Sequence, residues 1–117
     1  MPPRLHVVLT VTPGRVTAAS LDSLTVWVSV ANEDTETIDL QLVSSTLLVD
    51  GRRSMFWNVA IGNGARDARE SALPPGESVQ AARVMGDGLV REPGEHEVVI
   101  EVCGVRSAPA HVVIEPA

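Results

Sequence analysis

The sequence predicts an all-β domain, an antiparallel sandwich of seven to nine strands, and three observations support it. Apolar and polar residues alternate over short runs, which is the period of a strand with one buried face. Turn residues such as Pro13-Gly14 and Asp50-Gly51 separate these runs at spacings usual in sandwiches. No run of about eleven or more residues carries a helical stripe, and strands do not alternate with helices.

Three strands are predicted in the N-terminal part of the chain. The first covers residues 5–11, and residues 16–19 are expected to continue along the same sheet edge after a kink. The second has the clearest alternation, and its inward residues are Leu24, Val26, Val28 and Val30. This alternation places Trp27 on the outward side. A third strand is predicted through residues 38–42.

The middle of the sequence is less regular. Residues 47–49 lead into the Asp50-Gly51 turn, a strong hairpin signal. A strand is predicted next, with Met55, Trp57, Val59 and Ile61 on one face. Residues 62–72 are expected to be irregular, with one helical turn at most, and residues 79–85 form a weaker strand.

The C-terminal hairpin is the most regular part of the pattern. It begins at Pro93-Gly94 and turns at Gly104. The residues predicted to face inward on its two arms are His96, Val98, Ile100, Val102, Ala108, Ala110, Val112 and Ile114. Glu95, Glu97 and Glu101 face outward, where a row of carboxylates favours solubility.

Length and charge limit the range of functions. The 117 residues predict one domain, 1–117. A net charge of -6 argues against nucleic acid as a partner, because phosphate binding needs a basic face. The basic residues are all arginine, which is consistent with a GC-rich bacterial genome. A single cysteine and no recognisable signal peptide or membrane span predict a cytoplasmic protein, although secretion as part of a larger chain stays open.

The order of turns and strands resembles bacterial immunoglobulin-like modules. The residues that carry the resemblance are Val30-Ala31-Asn32, Asp50-Gly51, Trp57, the run from Leu73 to Ser78, and the run from Pro93 to Val102. Two families are similar, the cell-adhesion-related domain of bacteria and the intracellular proteinase inhibitor-like domain. Trp57 with Leu73-Pro74-Pro75 is the part shared with the inhibitor-like family. The resemblance covers about residues 22–115 and implies an immunoglobulin-like or fibronectin III-like sandwich. His96 stands where the pattern has a tyrosine, whose polar tip ties down a neighbouring loop.

Candidate chemical groups do not converge in the sequence. Cys103 has no histidine placed beside it as a base, and no serine lies in a G-x-S-x-G turn. His6 and His111 are expected to face outward and His96 inward, so a zinc site is not predicted. The acidic loop 33–39 lacks a calcium-loop signature. We therefore predict no catalytic residue, no metal and no cofactor.

The sequence favours a non-enzymatic module that binds another protein, with neither nucleic acid nor membrane as a partner. The predicted partner-binding residues are Trp27, Val99, Val113, Arg66 and Arg69. The first three are outward apolar side chains, and the arginines lie in the long 62–72 loop. A homodimer through a sheet edge or face is an alternative arrangement. A proteinase inhibitor-like domain and a small enzyme with an unrecognised site are the alternative functions.

Overall fold

The computed structural model describes residues 2–64 and 66–117, which form two packed β-sheets. One sheet has three strands in the order β1-β3-β6, and the other has six, in the order β2-β9-β7-β4-β5 with β8 paired to β7. The strands are β1 (Leu5–Thr12), β2 (Arg15–Thr17), β3 (Thr25–Asn32), β4 (Thr46–Val49), β5 (Arg52–Arg53), β6 (Ser78–Val84), β7 (Gly94–Val102), β8 (Val105–Arg106) and β9 (Ala110–Glu115). The predicted all-β sandwich is therefore confirmed.

The core between the sheets is almost entirely aliphatic. The inward faces of β1, β3, β7 and β9 are buried in the predicted alternation, and Val98, Ile100 and Val112 have no exposed surface. Ala108, predicted to face inward, is instead exposed in the segment before β9. Trp57 is the large aromatic side chain of this core, and its indole Nε1 donates a hydrogen bond of 2.9 Å to Ser45 Oγ. That bond satisfies the polar end of a ring that burial would otherwise leave unpaired.

The segment after Pro13-Gly14 does not stay on the edge of its first sheet. β1 pairs antiparallel with β3, whereas β2 pairs parallel with β9 in the other sheet. The expectation that residues 16–19 continue along the same edge is wrong. The turn carries the chain from one sheet to the other, where the Val113 N–H donates to Gly14 O at 2.9 Å and the Ala18 N–H to Glu115 O at 2.8 Å.

The strand predicted through Met55 and Ile61 is also wrong, because these residues form the helix α1 (Met55–Gly62). The Ser54 hydroxyl accepts a hydrogen bond of 3.2 Å from the Trp57 N–H and caps the helix N-terminus. Trp57 and Ile61 are four residues apart, so they lie on one helix face, and both are fully buried. A strand period of two would also place Trp57 and Ile61 on one face, so the alternation does not distinguish a strand from a helix here.

Residues 38–42 do not form the predicted strand either. Ile38 makes one isolated bridge, to Leu73, and a 3₁₀ turn follows at Leu42–Ser44. Gln41 has a φ of 48°, a left-handed conformation that interrupts regular strand pairing. Further 3₁₀ turns lie at Leu21–Ser23, Ala68–Glu70 and Gly86–Gly88. The turn at Ala68–Glu70 is the single helical turn expected in the 62–72 segment, of which Ala65 lies outside the described residues.

The hairpin signal at Asp50-Gly51 is confirmed. Both residues have positive φ, 51° and 81°, as a two-residue turn between twisted strands requires. β4 and β5 form the two arms of this hairpin, which brings Arg52 and Arg53 next to the start of α1. Across the described residues, no helix has the length and apolar character needed to cross a membrane.

Candidate functional site

The outward face of the three-stranded sheet carries no aspartate, glutamate, lysine or arginine. Four outward side chains from each strand form it, and they are His6, Val8, Thr10, Thr12, Thr25, Trp27, Ser29, Ala31, Ser78, Gln80, Ala82 and Val84. Since charged residues make up 21% of the sequence, a sheet face of this size without one is distinctive. We call it the neutral face.

Trp27 lies at the middle of the neutral face. It is on the central strand β3, opposite Thr10 of β1 and Ala82 of β6. Its side chain is 37% exposed, and its indole Nε1 donates a hydrogen bond of 2.8 Å to Thr12 Oγ1. The ring is therefore held in one orientation while part of its surface meets solvent, which is how aromatic anchors of protein interfaces are presented.

Val99 and Val113 lie on the opposite side of the sandwich. They belong to β7 and β9, which pair as expected, and both are half-buried. Val113 stands directly opposite Glu95, and Glu97 and Glu101 flank Val99 on the same face. These valines lie between carboxylates and share no surface with Trp27, so the structure separates the predicted partner-binding residues into at least two groups.

Arg69 belongs to a local network at the long loop. Its guanidinium contacts the Asp67 carboxylate at 2.8 Å and donates to Ser78 O at 3.1 Å. The hydrogen bonds from Arg69 hold the pKa of the Asp67 carboxyl below its usual range. Asp67 also caps the 3₁₀ turn at Ala68–Glu70. The charge of Arg69 is thus matched within the chain, whereas Arg66 is exposed beside it.

His96 connects two loops at one end of the sandwich. Its Nδ1 lies 2.6 Å from Asp50 Oδ2, and its Nε2 lies 2.7 Å from the Glu92 carbonyl oxygen. Because both neighbours are acceptors, only an imidazolium can donate to both. Burial lowers the pKa of His96, but the hydrogen bonds to Asp50 and Glu92 outweigh it and raise the pKa overall. The His96 hydrogen bond is also the main cause that lowers the pKa of Asp50.

A cleft of about 530 Å³ opens beside this histidine. Its walls are the Asp50–Arg53 hairpin, the first turn of α1, and the 88–92 loop. Met55 and Phe56 lie at its rim and are 66% and 47% exposed. The cleft does not follow from the sequence pattern, because that pattern predicts a strand at Met55 and Phe56 and the 88–92 loop is distant in sequence. The local signal for the helix is Ser54 before an apolar run, a residue type that often occupies the N-cap position.

Comparison with known proteins gives matches among solved structures. No family model matches the chain, and no curated protein matches it. The CARDB domain of the PF1109 protein from Pyrococcus furiosus, solved in complex with di-metal ions, superposes with a TM-score of 0.60 and 14% identity over 99% of this chain and 96% of that one. The fold is immunoglobulin-like. The resemblance to the cell-adhesion-related domain is thereby confirmed at the level of fold.

A second structural match covers part of a longer chain. The alkylpurine DNA glycosylase AlkC of Pseudomonas fluorescens, bound to DNA containing an abasic site analog, superposes with a TM-score of 0.58 and 17% identity. The match covers 97% of this chain and 31% of that one. At these identities both comparisons concern the fold alone.

The remaining groups that the sequence singled out lie apart from one another. Among residues 2–64 and 66–117, no cluster of three or more histidine, cysteine or acidic side chains is placed to hold a metal ion. The Cys103 thiol lies 3.2 Å from the Leu40 carbonyl oxygen, and burial, with a smaller effect from Asp39, raises its pKa. Of the residues shared with the inhibitor-like family, Trp57 and Leu73 are fully buried, whereas Pro74 is half-buried and Pro75 is exposed.

Proposed function

We propose that this chain is a non-enzymatic protein-interaction module that binds its partner through the neutral face, with Trp27 as the anchor. The observation that carries the proposal is the absence of charged side chains from the strand positions of this face in a protein of net charge -6. Burying an unpaired charge costs desolvation free energy and so opposes association. A face without charged side chains has the smallest desolvation cost when a partner covers it.

The size of the neutral face predicts a weak and reversible complex. Three strands spaced ~4.8 Å apart, each about eight residues long, present roughly 400 Å². Stable complexes bury about 800 Å² on each partner, about twice as much. The partner is therefore expected to dissociate readily unless it also touches surfaces outside the face.

Photo-crosslinking is the appropriate test, because it captures complexes that dissociate during purification. A benzophenone amino acid at Gln80, exposed on the neutral face, is compared with the same group at Glu97, exposed on the opposite face. We expect one dominant crosslinked protein from a GC-rich bacterial lysate with the Gln80 probe and none with the Glu97 probe.

A pair of matched substitutions tests the role of Trp27. Trp27→Thr keeps a strand-favouring residue but removes the ring, and it should reduce the Gln80 crosslink by at least about tenfold. Val113→Thr on the opposite face serves as the control and should leave it unchanged. Equal crosslinking at both probe positions, or an unchanged yield with Trp27→Thr, would refute the neutral face as the binding surface.

A further inference from the structure

The solvent side of helix α1 is apolar. None of its eight residues is charged, and Met55, Phe56 and Val59 are 66%, 47% and 61% exposed while Trp57 and Ile61 fill the core. A surface helix normally carries polar side chains on the face away from the core. The exposed apolar group is therefore available for contact with another molecule.

Two arginines border this apolar group without a carboxylate partner. Arg52 and Arg53 form β5 and are exposed. Within the described residues neither lies within 4.0 Å of a carboxylate, whereas Arg15 and Arg106 are paired at 2.9 and 3.0 Å. Arg53 has one contact, 3.4 Å from its Nη2 to Asn58 Oδ1. Arg52 makes a minor contribution to the lowered pKa of Asp50, but neither guanidinium is held in an ion pair, so both can pair with carboxylates brought by a ligand.

The carboxylates of the cleft itself compete little for these arginines. Asp50 accepts hydrogen bonds from His96 and from the Glu97 N–H, at 2.6 and 2.9 Å. Glu92 also lines the cleft, and among the described residues its carboxylate forms no ion pair with Arg52 or Arg53. A ligand carboxylate would therefore be repelled on the Glu92 side and attracted on the side of β5.

The Phe56 ring at the rim of the cleft is positioned by a glycine. A Cβ on Gly88 would lie 2.8 Å from the Phe56 ring, closer than real contacts allow. The ring thus packs directly on the backbone of the Gly86–Gly88 turn. This contact sets the orientation of the ring before any ligand binds, which lowers the entropic cost of binding.

We propose that this surface, formed by Arg52, Arg53, Met55, Phe56 and Val59, binds a short acidic peptide segment of a partner protein. Apolar side chains of the segment pack on the helix, and its carboxylates pair with the two arginines. The site belongs to the six-stranded sheet and its hairpin, so it is separate from the neutral face and does not depend on the function proposed there.

Fluorescence polarisation with labelled peptides tests the proposal on the full chain. The probe is a peptide of about ten residues in which Leu and Phe alternate with Asp and Glu. Matched peptides replace the acidic residues by Lys or the apolar residues by Ser. We expect the acidic peptide to bind at least about tenfold more tightly than either matched peptide, although the net charge of -6 by itself favours the Lys peptide. The affinity for the acidic peptide should fall as the salt concentration is raised.

Protein variants then locate the site. Arg52→Ser with Arg53→Ser should weaken binding by at least about tenfold, and Val59→Ser should weaken it severalfold. Arg15→Ser with Arg106→Ser makes the same charge change elsewhere and should have little effect, as should Trp27→Thr. Absence of binding near millimolar peptide, equal affinity for the Lys or Ser peptide, or equal losses from the control variants would overturn the proposal.

Discussion

Replacing His96 by phenylalanine should destabilise the fold in a pH-dependent way. The side chain of His96 is 10% exposed and inward-facing, so phenylalanine fills much the same space but makes neither hydrogen bond. A hydrogen bond to a charged group stabilises by about 1.5–3 kcal/mol. We take the low end, about 1.5 kcal/mol, because Asp50 is 47% exposed and solvent screens it. The bond to the Glu92 carbonyl adds about 1 kcal/mol.

The sign of the pH dependence follows from the two pKa shifts. The pKa of His96 is raised above 6.5, so its contribution is fully present below about pH 6.5 and is lost as pH rises through the folded-state value. The pKa of Asp50 is lowered below 3.8, so its contribution is present above about pH 3.8 and is lost as pH falls through the folded-state value. The pair therefore stabilises most between about pH 4 and 6.5.

Urea unfolding of wild type and His96→Phe at about pH 5.5 and about pH 8.5 measures this effect. We expect a loss of about 2.5 kcal/mol at the lower pH and about 1 kcal/mol at the higher pH, where a neutral ring keeps only one donor. His6 and His111 are present in both proteins and cancel in the difference. Asp50→Asn keeps a hydrogen-bond acceptor but removes the charge. In an Asp50→Asn background, the loss of stability caused by His96→Phe should therefore depend much less on pH. A loss that is equal at both pH values, or larger at the higher one, would refute the ion pair.

Three further predictions concern the core and its supporting loops. Trp57→Ala should lower the free energy of unfolding, measured in urea, by about 3–5 kcal/mol, because a fully buried ring and its hydrogen bond are lost. A loss below about 1 kcal/mol would contradict the burial of this side chain. Gly88→Ala should lower the free energy of unfolding by about 1 kcal/mol, because the added methyl group pushes on the Phe56 ring. In a double-mutant cycle, the same substitution should have no effect when Phe56 is already alanine. Additive losses would show that the ring does not pack on Gly88. The Cys103 thiol should react with a disulfide reagent at least about tenfold more slowly in the folded chain than in urea, because burial raises its pKa. Equal rates in the two conditions would show that the thiol is not buried in the folded chain.

The strand faces could be predicted from sequence because a period of two is local information. The inward residues of β3, β7 and β9 follow strict alternation between turns, and Trp27 was placed outward by the same rule. The same rule predicts that His96 faces inward, and the resemblance to immunoglobulin-like modules places it where a tyrosine ties down a neighbouring loop. Its hydrogen bonds to Asp50 and Glu92 fulfil the expected role of tying down neighbouring loops.

The helix and the cleft could not be predicted in this way. Residues 55–61 are apolar at six of seven positions, so they satisfy a strand period and a helix period equally well. Tertiary packing of Trp57 and Ile61 selects the helix. The cleft further requires Gly88 to contact Phe56, a pairing between segments about thirty residues apart that no local pattern encodes. The crossing of residues 15–17 to the second sheet was equally hidden, because three residues are too few to show a preference.

That crossing has a mechanical consequence. Because β2 and β9 run parallel, a force that pulls the chain apart at the start of β2 and the end of β9 slides the strands along each other. The backbone hydrogen bonds at Gly14 and Ala18, and the 2.9 Å ion pair between Arg15 and Glu115, then stretch together rather than one after another. β1, in contrast, pairs antiparallel with β3. Once it has detached from β3, further extension of the chain must break the whole β2–β9 contact in one step.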